Sequence, residues 1–525
     1  MPEFDFLSGR RAPVLTGRAM IATSHPLASA AGLSVLAEGG NAVDAALAAS
    51  AVQAVVDPLM TGIGGDCFAL VAPAEGPVRA LNGSGRAPAA ATIEALRAAG
   101  IGDAIPQSSP HAVTVPGAVS AWCRLHADLG RLPLARLLRD AIAHARDGYV
   151  VTPRVARDWA ESQAIVAADP AAAALFLPVP QAGARHAQPL LADRLRQIAD
   201  QGAAGFYQGA TAARMVAHLR SLGGLHSEED FHRATDGAHW VTPISARYRG
   251  FDIHQCPPNG QGLAALLILK IIEGFDMAGL APADRIHVQA EATKLAYHHR
   301  DALLGDADAC AGLAERLLSD AAIAALRGRI DMGRAMPPAL WDEPEHRDTI
   351  YLCAVDQDGL SVSFINSIFH GFGSGILDPQ TGVLFQSRGA SFRMIPGHPN
   401  AIAPGKRPMH TIIPGMVTQG GRTVMPFGVM GGQYQAAGHA DFLSAVIDRG
   451  LSLQAAMDEP RSFATDGVLQ VEAGMPEDVC DALARRGHVI HRLDGPLGGA
   501  QAIRIGDGLL EGGSDSRKDG MAIGL

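Results

Sequence analysis

Cysteine is scarce and scattered. Six residues (Cys67, Cys123, Cys256, Cys310, Cys353 and Cys480) are spread over 525 positions with no CxxC pair. That excludes a disulfide-framed fold and offers no zinc-ligand spacing; the pattern is that of buried thiols in a reducing cytoplasm. Long apolar runs are missing as well. The richest, Ala45 to Val56, is too short for a membrane span and carries Ser50 and Gln53. The opening "MPEFDFLSGRRAPVL" places acids first and has no apolar core, so no secretion signal is expected and the chain reads as cytoplasmic. Positive charge is in deficit, 43 Lys and Arg against 53 Asp and Glu, for a net charge of -10. A nucleic-acid or anionic-membrane partner would want a basic face, so neither is expected. A hydrophobic content of 48% excludes a disordered chain.

The usual nucleophile and cofactor signatures are absent too. There is no GxSxG elbow, no GxxxxGK[ST] and no GxGxxG behind a strand. "TGIGGDCFALVAP" is glycine-rich, but its order is helix, glycines, strand, the reverse of a phosphate loop. Cys353 lies mid-strand between apolar neighbours, a poor setting for a thiolate. His287 and Glu291 are four apart on a helix, with His298 and His299 beyond. The spacing is not HExxH and no third ligand follows, so a packed helix is the reading, with neither metal nor cofactor.

What is present is a sharp boundary. "PPALWDEPEHRD" (Pro337 to Asp348) is charged and proline-bearing. At Thr349 it gives way to "TIYLCAV", a "DQDG" turn at Asp356 to Gly359, and "LSVSFINS", a hairpin pattern. Upstream, Asn41 and Asp44 have the spacing of a capping box before "AVDAALAASAVQAVV", and Ala118 to Arg327 reads as a mostly helical block. Downstream, "RTVMPFGVMGG" reads as a strand running into a glycine turn.

Thr349 admits two readings. It opens a strand, as threonine suits, or it becomes a new N-terminus. In the second, the hydroxyl attacks the carbonyl of Asp348. The freed α-amine, with a pKa of roughly 7.7–8, then serves as the base that a weak hydroxyl nucleophile needs. Gly431 and Gly432, at a strand-to-helix turn, are placed to offer N–H groups to an oxyanion.

"TSHPLASAAGLSVLAEGGNAVDAALAASAVQAVVDPLMTGIGGDCFAL" resembles the opening of the γ-glutamyltranspeptidase superfamily. "VTVPGAVSAW", "DGYVVTPRVA", "PPNGQGLAALLILKIIEGFD", "EATKLAYHHRD", "DTIYLCAVDQDG", "APGKRPMHTIIPGMV", "MGGQYQ", "DEPR" and "GGSDSRKDGMAIG" resemble its later blocks in the same order. The resemblance implies an N-terminal nucleophile hydrolase: an α/β four-layer αββα sandwich made as a proenzyme. It self-cleaves between Asp348 and Thr349 into a large segment, 1–348, and a small segment, 349–525, which together form one fold. It implies Thr349 as nucleophile, Ser367 as the orienting hydroxyl where relatives usually have threonine, and Gly431 and Gly432 as oxyanion donors.

The departures bear on substrate. Where transpeptidases have a "DFREMAP"-like block, this chain has "NGSGRAP", so Ser84 takes the arginine's slot and Arg86 comes two places later. His410 and Thr411 replace a serine pair, Phe369 replaces an asparagine, and Ala390 and Ser391 replace the acids that receive an α-amine. An unpaired buried ammonium is costly. The pattern is similar to the cytoplasmic transpeptidase-like and cephalosporin-acylase-like branch. It implies amide hydrolysis or acyl transfer through an acyl-Thr349, on small amides whose acyl group bears a carboxylate, with Arg86, His410, Thr411 and Arg388 as candidate anion ligands. The alternatives are a true γ-glutamyltransferase or glutathione hydrolase, and an unprocessed homologue that only binds.

Overall fold

The computed structural model describes residues 11–337 and 349–525, so Asp348 and most of the stretch before Thr349 lie outside the described residues. Two seven-stranded sheets face each other. One runs in spatial order Met521–Gly524, Met20–Thr23, Ile350–Val355, Ser361–Ser367, Asp66–Ala72, Arg79–Gly83, His239–Val241. The other runs Val14–Thr16, Leu509–Ser514, Gly499–Gly506, Arg422–Met430, Gly415–Gln419, Phe251–Gln255, Ile244–Tyr248. Neighbours in both sheets are antiparallel. Each sheet mixes strands from before and after Thr349.

Phe68, Leu70, Tyr351, Cys353 and Ile365 of the first sheet meet Met416, Met430, Ile503 and Leu510 of the second in a buried layer. The outer face of the first sheet packs on the helices Pro26–Ala37, Ala42–Val56 and Leu134–Asp147. The outer face of the second packs on Gly262–Ile272, Pro282–Leu303 and Gln435–Ile447. This is the αββα sandwich that the resemblance implies. Strands at its centre have no solvent face, which is why "IYLCAV" is apolar at every position. Ile350, Leu352 and Ala354 point to the helices, and Tyr351 and Cys353 point to the other sheet.

Alanine lets the second helix sit deep. All fifteen residues of Ala42–Val56 are buried, and its N-terminus carries the expected Asn41–Asp44 capping box. The backbone N–H of Ala42 donates to Asp356 Oδ2 at 3.0 Å, while Asp356 Oδ1 accepts the N–H groups of Asp358 and Leu360. The turn of the Thr349 hairpin is thereby fixed to a helix N-terminus, where a carboxylate is favoured. The helical block from Ala118 holds more strand than its sequence suggests. His239–Val241, Ile244–Tyr248 and Phe251–Gln255 join the two large sheets. They are edge or near-edge strands with half-exposed polar residues, which blur the alternation. Among the described residues no helix is long and apolar enough to cross a membrane.

Candidate active site

Thr349 stands immediately before the strand Ile350–Val355 and is buried. Ile350 pairs with Asn366, so the next antiparallel step sets Thr349 against Ser367. Their hydroxyls are 3.2 Å apart. Ser367 Oγ also accepts the N–H of Phe369 at 3.0 Å, so its position is held from the turn that follows.

On its other side Ser367 pairs in register with Asp66. Asp66 is fully buried, and its charge is met by hydrogen bonds. Oδ1 accepts Gly85 N–H at 2.8 Å, Gly117 N–H at 3.1 Å and Gln386 Nε2 at 2.9 Å, and Oδ2 lies 3.1 Å from His410 Nε2. Burial, with the nearby Arg388 guanidinium, pushes the His410 pKa down to about 3 against the pull of Asp66. His410 is therefore neutral, and it is Nε2 that carries the proton given to Asp66.

Thr411, the next residue, receives Arg388 Nη1 on its hydroxyl at 3.1 Å. Arg388 is fully buried and lies over the Phe369 ring, 3.9 Å from its centroid. Gln261 Nε2 then bridges the carbonyls of Thr411 at 2.7 Å and Gly432 at 3.1 Å. Gly432 follows Gly431 at the end of the strand Arg422–Met430. Both glycines have positive φ, +114° and +56°, a region open to glycine at little cost. A Cβ on Gly431 would lie 2.8 Å from Gly498 Cα. The strand leading to them packs against the Thr349 hairpin: Ser363 Oγ donates to Phe427 O at 3.2 Å, and a Cβ on Gly428 would strike the Tyr351 ring.

Thr349, Ser367, His410, Thr411, Arg388 and Gly432 thus belong to one connected cluster, joined through Asp66 and Gln261. Those two connectors escaped the reading of the sequence. For Asp66 a signal existed: it is the lone acid in a glycine and apolar run leading into a buried strand. Arg86 does not join the cluster. Its side chain is half exposed, donates to Gly405 O at 2.8 Å, lies 3.9 Å from Asp306, and lines a cleft whose walls include neither Thr349 nor Ser367. Ser84, in the arginine's slot, donates its hydroxyl to Asn82 Oδ1 at 2.7 Å. Ser391 bonds backbone carbonyls of Arg388 and Met409, and Ala390 is buried. Neither brings negative charge. Burial raises the Cys353 thiol far above its ordinary value, consistent with an inert side chain.

His287 and Glu291 meet His488, which the sequence did not connect to them; the potential ligand atoms of the three lie within 4.8 Å of one another. All carry protein hydrogen bonds. His287 bonds His488 Nε2 at 2.8 Å and Asp331 O at 2.9 Å, and Glu291 accepts Lys294 and the Met336 N–H, each at 2.7 Å.

Comparison with known proteins gives consistent results. The gamma-glutamyltranspeptidase family model matches residues 28–525. The chain is 36% identical over 534 residues to the glutathione hydrolase-like YwrD proenzyme of Bacillus subtilis (strain 168), covering 98% of this chain and 99% of that one. It is 37% identical over 526 residues to the oxamate amidohydrolase proenzyme of Klebsiella pneumoniae subsp. pneumoniae, covering 96% and 98%. The crystal structure of cephalosporin acylase from Bacillus halodurans superposes with a TM-score of 0.93 at 40% identity, covering 100% of this chain and 99% of that one.

Proposed function

Because the chain belongs to the gamma-glutamyltranspeptidase family, we propose that it is a self-processing amidohydrolase with Thr349 as its nucleophile. The observation that carries this reading is the buried Thr349–Ser367 hydroxyl pair, 3.2 Å apart, at the head of the hairpin.

In maturation the Thr349 hydroxyl oxygen attacks the carbonyl carbon of Asp348. The peptide nitrogen leaves as the Thr349 amine, and water hydrolyses the resulting ester to give segments 1–348 and 349–525. In turnover the α-amine takes the hydroxyl proton, the oxygen attacks the substrate amide, and the departing amine takes the proton. Gly431 and Gly432 donate to the oxyanion; their positions are held by packing on Gly498 and by Gln261. Water then releases the acid from Thr349. Ser367 orients the nucleophile throughout.

In this reading Arg388, set by Thr411 and by Phe369 beneath it, receives a carboxylate on the acyl group, with neutral His410 beside it. Ala390 and Ser391 supply no charge for an α-ammonium. The name of the Klebsiella relative fits this preference, because the acyl part of oxamate carries a carboxylate and no amine. The six free cysteines suit a reducing cytoplasm.

The test compares a glutaryl amide with the matching γ-glutamyl amide on the processed protein. A lost charge-assisted hydrogen bond in a dry pocket is worth about 1.5–3 kcal/mol, roughly tenfold to over a hundredfold. The glutaryl amide should lead in kcat/KM by that order. A second reading, glutathione hydrolysis, draws on the name of the Bacillus relative; it predicts the reverse order.

A further inference from the structure

The structure assigns to this protein a second anion site, in an outer cleft around Arg86, that takes a small carboxylate with an apolar body. This inference does not depend on the chemistry proposed for Thr349. The cleft has a volume of about 310 Å3, within reach of a small ligand. Its lining holds three guanidinium groups, Arg86, Arg233 and Arg407, and one acid, Asp230.

The acid is already engaged. Asp230 Oδ1 accepts Ala89 N–H at 2.9 Å, and Oδ2 accepts the N–H and hydroxyl of Ser227 at 2.9 and 2.7 Å. The cations are not balanced in the same way. Arg86 spends one of its five N–H donors on Gly405 O and stands 3.9 Å from Asp306, too far for a strong ion pair. Asp306 Oδ2 itself accepts the backbone N–H of Arg407 at 2.9 Å. Arg233 pairs with Glu229, and both side chains are well exposed, so the pair contributes little.

Arg407 is the built part of the site. It is buried, with Nε on Ser84 O and Nη2 on Gly237 O, both at 2.9 Å. Burial first, and then the charge of Arg86, lower its pKa to about 10 against the opposing pull of Asp306 and Asp66. Two guanidinium groups that oppose one another beside a cleft form a place where an anion is favoured. Arg86 offers a planar fork for a carboxylate, and Ala87, Val115, Pro116 and Ala234 supply apolar wall for the rest of the ligand.

The cleft shares backbone with the nucleophile cluster. Gly85 and Gly117 line it, and their N–H groups are the ones that hold Asp66. A ligand seated on Arg86 therefore touches the segment that positions Asp66 and His410 without meeting Thr349.

The experiment titrates phenylacetate, and its neutral isostere phenylacetamide, into the processed full-length protein by calorimetry. It repeats the titration on an Arg86→Ala protein that melts at the wild-type temperature. Phenylacetate should bind at least roughly tenfold more tightly than the amide. Arg86→Ala should remove that margin, since a charge-assisted bond of about 1.5–3 kcal/mol is lost. Excess glutarate, a probe of the acyl pocket proposed above, should not displace the ligand. Equal binding of acid and amide, no measurable binding of either, indifference to Arg86→Ala, or displacement by glutarate would each overturn the assignment; the last would make the cleft part of the acyl pocket.

Discussion

Asp66 Oδ2 accepts the Nε2 proton of His410 at 3.1 Å, with both side chains fully buried. The bond joins the strand that pairs with Ser367 to the loop that carries Thr411. It sets the imidazole in one tautomer, and it engages the second oxygen of a carboxylate whose first is bound by Gly85, Gly117 and Gln386. Asp66→Asn leaves one amide group facing donors it cannot accept. Losing a hydrogen bond to a charged group costs about 1.5–3 kcal/mol, so urea melts should show a loss of that order. Hydrolysis should fall at least tenfold, because His410 and the Gly85 segment lose their common anchor.

Acid should destabilise the fold through its buried histidines. The pKa values of His25, His370, His410, His439 and His488 are each pushed down to about 3, in every case mainly by burial. Their folded values lie below the ordinary 6.5, so the unfolded state binds the protons first. Stability is full above about pH 6.5 and falls as pH drops from 6.5 towards 3. The slope is at most about 1.4 kcal/mol per pH unit for each histidine. Melting temperature should drop between pH 7 and 5, and His410→Gln should flatten that fall by about one proton's worth. An unchanged slope in the variant contradicts the burial argument for His410.

Much of this was legible in the sequence because it is local. The Asn41–Asp44 cap, the turn at Asp356 and the strand that begins behind Thr349 each need only a few neighbouring residues. Ser367 is named from the family resemblance alone; its place opposite Thr349 follows from the hairpin register, which a short turn fixes. Asp66 and Gln261 were not legible as connectors: their partners lie up to 344 and 171 positions away, and only the folded sheets bring them together. Arg86 shows the opposite difficulty. Its type and block suit a ligand arginine, but a two-residue shift along the chain sends the side chain to another cleft. The strands between His239 and Gln255 were hidden by polar residues that edge positions tolerate.

Ser367 should matter through its hydroxyl. Ser367→Ala removes the 3.2 Å contact with Thr349 and the acceptor for Phe369 N–H. Processing and turnover should each slow by roughly five- to thirtyfold, as one hydrogen bond of about 1–2 kcal/mol would give. Ser367→Thr keeps the oxygen and should stay within a few-fold of wild type in single-turnover assays. Equal loss in both variants would point to packing instead.

Gly431→Ala tests the oxyanion turn. At φ +114° an alanine is strained by about 1–3 kcal/mol, and its Cβ meets Gly498 backbone at 2.8 Å. The expected result is a lower melting temperature and hydrolysis reduced by about 10² or more. Wild-type kinetics in a folded Gly431→Ala protein would remove this turn from the mechanism.

Intact-mass analysis of freshly purified protein, wild type beside Thr349→Ala, bears most directly on Thr349 as the self-cleaving nucleophile. The wild type should resolve into two polypeptides, the smaller beginning at Thr349, and the variant should remain a single chain of 525 residues. A variant that still yields a new N-terminus at position 349, or a wild type that stays whole while hydrolysing amides, would contradict it.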